Sequence, residues 1–468
     1  MTERTRLSPS LLNLITDFEQ SLSDGINTAL NERAYAQIVE YYESENRLDR
    51  ALEVVDRAIN QYKSNLGFQK QKINLLIKSR RFDDAYKVIS AAMVNEPFNV
   101  DLSLMKALVL AGQQCFDEAL DIVHDVKSYA NQQNEIKVYL TESEICELCQ
   151  DYDQMFQSLK YALIIEPENA TALKFIKRAV NLSRQNCEES ILIHTVIIEN
   201  HPYCAQAWHN LGHSFALVGE YQNAVEALEY AFLVDRSFEE AYYDCAEFCM
   251  EIGEFQRAEI ILNEALLEFD PNYDTLYNLA LCQYEIDKIA EAKRTLFGAM
   301  QVEPYCEELH FLMAKCDIKD ENWIGAINML EAAIDLEDQI EDYYYYLGLV
   351  YERLNKNSKA NVFYRKAAFQ GEEQSHYWEE YIRFLIKKGD LKVAEKYIKI
   401  SGEYTYSSKI AYLEVANMIL DGRKSEAMPL LTELMIEDFD SKEVLLSIDE
   451  KIKNDKEIQS LISYYEKE

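Results

Sequence analysis

The sequence is short of the residues that punctuate a chain. Its 468 residues include only 13 glycines and 7 prolines. A sheet protein needs turn residues every few positions, so this scarcity argues against strands and for long helices joined by tight turns. Positive charge is short as well, with 47 lysines and arginines against 82 aspartates and glutamates, a net charge of −35. No basic cluster is dense enough to offset that field, which disfavours nucleic acids and anionic membrane surfaces as partners. No apolar run approaches the roughly 20 residues of a membrane span, so no membrane insertion is expected. The opening stretch MTERTRLSPSLLNLITDFEQ carries no signal-peptide pattern, its apolar residues being interrupted by Asn13 and Asp17. The ten cysteines follow no disulfide-framework spacing. A reducing, cytoplasmic setting is the simplest expectation.

Motifs that carry chemistry are also missing. There is no Gly-rich phosphate loop, no HExxH and no nucleophile elbow. Carboxylate pairs are so frequent in a chain this acidic that they carry no information about acid–base catalysis. Neither an enzyme nor a cofactor is expected. Cys146 and Cys149 form a lone CxxC without a second pair or a histidine at zinc-finger spacing, and Cys146 is expected to be a buried structural thiol.

What the sequence does contain is a period. A chain this long exceeds one ordinary core, and its 48% hydrophobic content supports extensive burial. Alanine occurs at 224, 258, 292, 326, 360 and 394, always 34 residues apart, and the same interval links Ala51, Ala85 and Ala119. Seven residues after these nine stand Ala58, Ala92, Val126, Ala231, Ala265, Ala299, Ala333, Ala367 and Ser401. Twelve residues before, small residues recur as Ala107, Gly212, Ala246, Ala280, Ala314 and Gly348. Small side chains let two helices approach closely, and one hairpin leaves an apolar face that a neighbour must cover.

This ladder resembles the tetratricopeptide repeat (TPR) family. In AWHNLGHSFALVGEYQNAVEALEYAFLVD, Trp208, Leu211, Gly212 and Phe215 match the first half of that motif, and Ala224, Leu228 and Ala231 the second. Twelve copies are read, starting at 32, 66, 100, 136, 171, 205, 239, 273, 307, 341, 375 and 409. The resemblance implies an all-α fold, an alpha-alpha superhelix in the form of a right-handed solenoid of about twelve hairpins with terminal capping helices. The expected organisation is an N-terminal cap (1–31), copies 1–3 (32–133), irregular copies 4–5 (134–204), copies 6–12 (205–441) and C-terminal caps (442–468). Residues 134–135 and 170 do not fit the period, and Lys177, Arg178 and Ser190 fall at conventional core positions. A kinked joint is expected there. Ser8 and Pro9 read as an N-cap and first helical residue, followed by a stripe of Leu11, Ile15, Phe18 and Leu22. Two more short helical patterns follow residue 442. The capping helices are also a candidate homodimer surface.

The family's first helices line a concave groove, which implies a non-catalytic scaffold or adaptor that binds a peptide segment of a partner protein. The groove positions hold Tyr243, Tyr277, Tyr284, Phe311 and Tyr345, then Lys315, Lys319, Arg353, Arg383 and Lys387, with Glu247, Glu251 and Asp274 among the tyrosines. In the run EDYYYYLGLVYERL, Tyr344 takes the slot of Trp208, Tyr343 faces the preceding hairpin, Tyr346 lies near the rim and Tyr345 is left for the groove. A co-chaperone holding client segments is an alternative, predicting many clients and little salt dependence. Some family members clamp a chaperone's C-terminal carboxylate with five residues; Lys70, Asn74 and Lys137 match three of them, while Met105 and Thr141 replace the others. His209 and His213 share one helix face at a spacing that can hold a metal ion, with Glu240 or Glu247 as a third ligand, so a metal- or ligand-responsive regulator is a further alternative. The competing reading is two solvated or hydrogen-bonded histidines.

Overall fold

The computed structural model describes residues 9–23, 29–63 and 65–466. Pro9 is the first residue of α1 (Pro9–Ser23), whereas Ser8 and the side chain of Leu22 lie outside the described residues. Twelve helical hairpins follow. The first four are α2/α3 (Glu32–Ser44, Leu48–Gln61), α4/α5 (Leu66–Lys78, Phe82–Met93), α6/α7 (Val100–Gly112, Phe116–Tyr129) and α8/α9 (Gln132–Leu148, Tyr152–Ile165). The next four are α10/α11 (Ala170–Ser183, Cys187–Asn200), α12/α13 (Ala205–Leu217, Tyr221–Val234), α14/α15 (Glu239–Glu251, Phe255–Glu268) and α16/α17 (Tyr273–Glu285, Ile289–Val302). The last four are α18/α19 (Glu307–Lys319, Trp323–Leu336), α20/α21 (Glu341–Arg353, Asn357–Gln370), α22/α23 (Ser375–Lys387, Leu391–Ser401) and α24/α25 (Ser408–Leu420, Lys424–Glu437). Three short helices, α26 (Lys442–Leu446), α27 (Glu450–Lys453) and α28 (Lys456–Tyr465), end the chain where the pattern suggested two. No strand occurs among the described residues.

The chain divides into two compact units, Met1–Phe248 and Cys249–Glu468, each with its own apolar interior. Ile38, Val55 and Leu76 are among the buried residues of the first, and Leu347, Trp378 and Leu413 among those of the second. Ile15 and Phe18 of α1 are buried in the first unit's core, and Ile458 and Ile462 of α28 in the second's. These four residues of the capping helices pack within the chain.

Eleven of the twelve hairpins close through a three-residue turn whose middle residue has positive φ: Asn46, Arg80, Gln114, Gln150, Gly219, Gly253, Asp287, Glu321, Asn355, Gly389 and Gly422. Between α10 and α11 the outer two residues of the turn, Arg184 and Asn186, have it instead. The turn ends the first helix in a left-handed step that returns orphan carbonyls to use, as where Glu220 N–H donates to Phe215 O at 2.9 Å. Several first helices are opened by asparagine: Asn31, Asn99, Asn131, Asn169 and Asn272 each accept a backbone N–H three residues on.

The alanine ladder marks the helix crossings. Ala51, Ala85, Ala119, Ala224, Ala258, Ala292, Ala326, Ala360 and Ala394 are all 0% exposed. A Cβ on Gly348 would lie 2.7 Å from Tyr364 Cδ1, and one on Gly212 2.7 Å from Leu228 Cγ. Such crossings cannot take added volume, so Ala292→Leu is expected to destabilise the second unit by about 1–3 kcal/mol in urea unfolding. Large residues beside the crossings are fixed from behind. Trp208 Nε1–H donates to Pro202 O (2.9 Å), Tyr344 O–H to Asp338 O (3.1 Å) and Trp378 Nε1–H to Glu372 O (2.9 Å). All three occupy the fourth position of a first helix and reach back six residues into the preceding loop.

The two irregular places are absorbed by helix length. Most first helices have 13 residues, but α8 has 17 and α10 has 14. Because α10 begins at Ala170, Ala172, Leu173, Ile176, Ala179 and Val180 take its core positions. Lys177 and Arg178 are therefore not core residues as expected: Arg178 is exposed and pairs with Glu147 at 2.9 Å, while Lys177 is half-buried. Ser190 is buried, 2.8 Å from Ser214 Oγ.

Candidate functional site

Stacking by one hairpin makes residues about 31–36 apart into neighbours on adjacent first helices, and the polar candidates are arranged by that rule. Tyr243, Tyr277, Phe311 and Tyr345 recur every 34 residues at the fifth position of α14, α16, α18 and α20, and Lys319, Arg353 and Lys387 recur likewise at the last position of α18, α20 and α22. A cation at a helix C-terminus also meets the negative end of the helix dipole.

In the second unit these residues are partly engaged with one another. Tyr277 stacks on Tyr273 with ring centroids 5.8 Å apart, and the Tyr273 hydroxyl donates to Glu308 Oε2 at 2.5 Å. Phe311 lies 4.9 Å from the Tyr343 ring and 5.3 Å from Tyr346. Tyr343 and Tyr344 are buried, while Tyr345 and Tyr346 are half-buried. Tyr345 sits 5.0 Å from His376, 5.2 Å from Tyr346 and 6.0 Å from Tyr377. Lys319 Nζ lies 4.0 Å from the centre of the Tyr284 ring and Lys315 Nζ 4.8 Å, a cation–π arrangement of two ammonium groups on one aromatic. Lys319 also donates to Tyr284 O at 3.0 Å. Arg383 pairs with Glu380 at 3.1 Å, and Arg353 and Lys387 are exposed. Burial first, then the negative charge of Glu380, pushes the Tyr345 hydroxyl up to about 12, so it is a neutral donor at physiological pH. Burial likewise raises Tyr284 to about 12 and raises Tyr277.

The clamp candidates in the first unit meet a carboxylate of the chain itself. Lys70 Nζ lies 2.5 Å from Asp101 Oδ2 and Lys137 Nζ 2.8 Å from Asp101 Oδ1. Burial opposes the Asp101 charge, but the bonds from Lys137 and Lys70 outweigh it and lower its pKa. Asn74 is exposed. The two lysines are thus brought together, but around an internal anion.

The histidine pair is part of a larger cluster. His209 Nε2 lies 2.7 Å and His213 Nε2 2.5 Å from the same oxygen, Asp244 Oδ2, and Lys177 Nζ is 3.7 Å from it. The carboxylate comes from α14, one hairpin on, and is neither Glu240 nor Glu247, both of which are exposed. His209 is not a groove-lining solvated side chain but wholly buried, packed on Phe238 at 4.7 Å. Burial depresses the His209 imidazole below its ordinary range despite the Asp244 bond. Burial acts to raise the Asp244 pKa, and the bonds from His209 and His213 reverse this, holding it well below the usual carboxylate range.

Cys146 is buried, and its thiol is pushed up to about 12 by burial, which suits a structural rather than a reactive cysteine. All ten cysteines are free. An apolar cleft of about 560 Å³ opens between α9 and α11 beside Ile164, Pro167, Leu192 and Val196, and none of the residues singled out by sequence lines it. No helix among the described residues is long and apolar enough to cross a membrane.

Sequence reading missed Asp101, Asp244 and the role of Lys177. The available signal was the repeat itself: Asp101 is 31 residues after Lys70 and Asp244 is 31 after His213, the separations at which stacked first helices meet.

A family model described as tetratricopeptide repeat matches residues 217–277. No curated protein matches the chain. Among solved structures, it is similar to YrrB, described as a TPR protein with an unusual peptide-binding site, at 21% identity over 38% of this chain and 91% of that one, with a TM-score of 0.34. It is similar to a tetratricopeptide repeat protein from Parabacteroides merdae at 15% identity over 53% and 98%, TM-score 0.37. It is also similar to a chain of the APC/C hetero-tetramer Cut9–Hcn1 at 11% identity over 97% and 94%, TM-score 0.37. These likenesses concern the fold alone.

Proposed function

We propose that this chain, a tetratricopeptide-repeat protein, is a non-catalytic cytoplasmic scaffold that holds a peptide segment of a partner protein on the first helices of its second unit. The observation that carries this reading is the paired periodicity there. Consecutive first helices α16, α18 and α20 each present an aromatic ring at the fifth position (Tyr277, Phe311, Tyr345), and a cation closes the last position of α18, α20 and the following α22 (Lys319, Arg353, Lys387). Aromatic side chains supply contact area at low entropic cost and act as anchors. Cations in an otherwise acidic protein select a segment that carries carboxylates among apolar residues, and they accelerate its approach. The hydroxyl of Tyr345, kept neutral, adds a hydrogen-bond donor to the anchor.

The test is affinity capture with wild type, Tyr277→Ala/Tyr345→Ala, and a control on the opposite helices, Ile164→Glu/Leu192→Glu, at low and high salt. The aromatic double variant is expected to lose the partners that the control retains, with helix content unchanged by circular dichroism. High salt should weaken the wild-type capture. Equal recovery of the same partners by all three proteins would refute the assignment.

A further inference from the structure

We propose that His209, His213 and Asp244 form a site for one zinc ion that staples α12 to α14. The two histidines stand four residues apart on α12, and the carboxylate comes from the next first helix. Their three donor atoms lie within 4.8 Å of one another. The rings are held in place, His209 by Phe238 at 4.7 Å and His213 by Phe248 at 5.7 Å. His209 is 0% exposed, whereas the side chains of His213 and Asp244 are 18% and 25% exposed, so one side of the cluster is open to a water as fourth ligand. Two imidazole nitrogens, a carboxylate oxygen and water are a suitable zinc set.

The two imidazoles meet the carboxylate at hydrogen-bonding distance, and they share one focus. His209, His213 and Lys177 all converge on Oδ2, and none of the three turns to Oδ1. Metal–donor distances of about 2.0–2.2 Å would place tetrahedral donors roughly 3.3 Å apart. The present nitrogen–oxygen separations of 2.7 and 2.5 Å therefore have to widen by less than about 1 Å, within reach of small side-chain rotations.

Two neighbours compete with the ion. The Lys177 ammonium, 3.7 Å from Asp244 Oδ2, occupies the same electrostatic role and is repelled by a dication. Gln206 Nε2 stands 3.4 Å from His209 Nδ1. The same Gln206 nitrogen donates to Asn210 Oδ1 at 3.0 Å. With zinc on Nε2 the Nδ1 atom carries the proton, so the Gln206 amide has to move aside for Nδ1–H to find an acceptor, the outer-shell partner a ligating histidine requires. The site is therefore a switch between an ammonium-held and a zinc-held state, and removing Lys177 favours the second.

The test is titration of the chelator-stripped full chain with zinc chloride by calorimetry, with cobalt(II) absorption to identify the ligands. Wild type is expected to bind one equivalent and to melt at a higher temperature when loaded. Cobalt should give d–d bands without thiolate charge transfer, separating this site from the ten cysteines. His213→Ala, at a partly exposed position, and Asp244→Asn should each weaken binding by roughly tenfold or more, and Lys177→Gln should tighten it several-fold. No binding by wild type, thiolate bands in the cobalt complex, or equal binding by His213→Ala and Asp244→Asn would each overturn the site.

Discussion

Trp378→Ala is expected to destabilise the second unit by about 3–5 kcal/mol, the range for removing a fully buried large aromatic and leaving a cavity. Trp378 is 0% exposed, meets Phe369 edge-on at 5.1 Å and lies parallel to Tyr404 at 6.1 Å. Its indole N–H is tied to Glu372 O, so the ring cannot shift to relieve a change nearby. Trp208 holds the equivalent slot in the first unit and makes the equivalent bond to Pro202 O, but it is only half-buried and stacks on the exposed Tyr230. Trp208→Ala is therefore expected to cost only about 1–2 kcal/mol, in proportion to the apolar area removed from water. Stability in a repeat array is a sum of nearest-neighbour terms, so the Trp378 loss should appear locally. Hydrogen exchange should accelerate in α20 to α24 and leave α2 to α7 unchanged. Equal effects of the two substitutions would mean that the repeat slot, and not burial, sets the energy.

The comparison of these tryptophans shows which features sequence could reveal. The position of each hairpin was legible because close packing at a crossing demands a small residue at a fixed phase, and nine alanines obey it with full burial. The joint at residues 134–204 was legible as a break in phase, but not as a change of helix length. A one-residue shift in the start of α10 was enough to move Lys177 and Arg178 off the core face. The turns were nearly illegible. Nine of the thirteen left-handed turn residues are not glycine, because a single such residue costs only about 1–2 kcal/mol, which the packed helices on either side supply. The candidate sites were half legible. His209 and His213 could be named from their helical spacing and Lys70 and Lys137 from the family's clamp pattern, whereas Asp101 and Asp244 become partners only through stacking one repeat further on. Burial depends on that same neighbour, which is why His209 looked like a groove residue and is instead enclosed.

Acidification from pH 6.5 to 4 is expected to cost the first unit about 3 kcal/mol through one residue, His194. This imidazole is fully buried, and burial lowers its pKa from 6.5 to about 4. The bond to Ser190 O favours the charged ring, but burial outweighs it, and the other surroundings do not help. Nδ1 lies 2.8 Å from Ser190 O, a carbonyl that can only accept, so Nδ1 carries the proton. Nε2 lies 3.2 Å from Asn210 Nδ2, whose orientation is set because the same nitrogen donates to Leu173 O at 2.7 Å while Asn210 Oδ1 accepts from Gln206. Nε2 is thus an acceptor, and a second proton there would face an N–H. The Ser190 hydroxyl, 3.2 Å from Nδ1 and itself 2.8 Å from Ser214 Oγ, brings no negative charge. The sign follows from the depressed pKa. Below pH 6.5 the unfolded chain takes up a proton that the folded chain refuses, so stability falls as pH drops and levels off once the folded-state pKa is passed. His209, also depressed by burial, titrates in the same direction, so the informative quantity is the difference between wild type and His194→Gln. Glutamine retains a donor and an acceptor but cannot titrate. Urea unfolding at a series of pH values should give a shallower acid limb for His194→Gln between pH 6.5 and 4, even if its stability at pH 7 is lower. Parallel profiles for the two proteins would show that the acid sensitivity of this unit lies elsewhere.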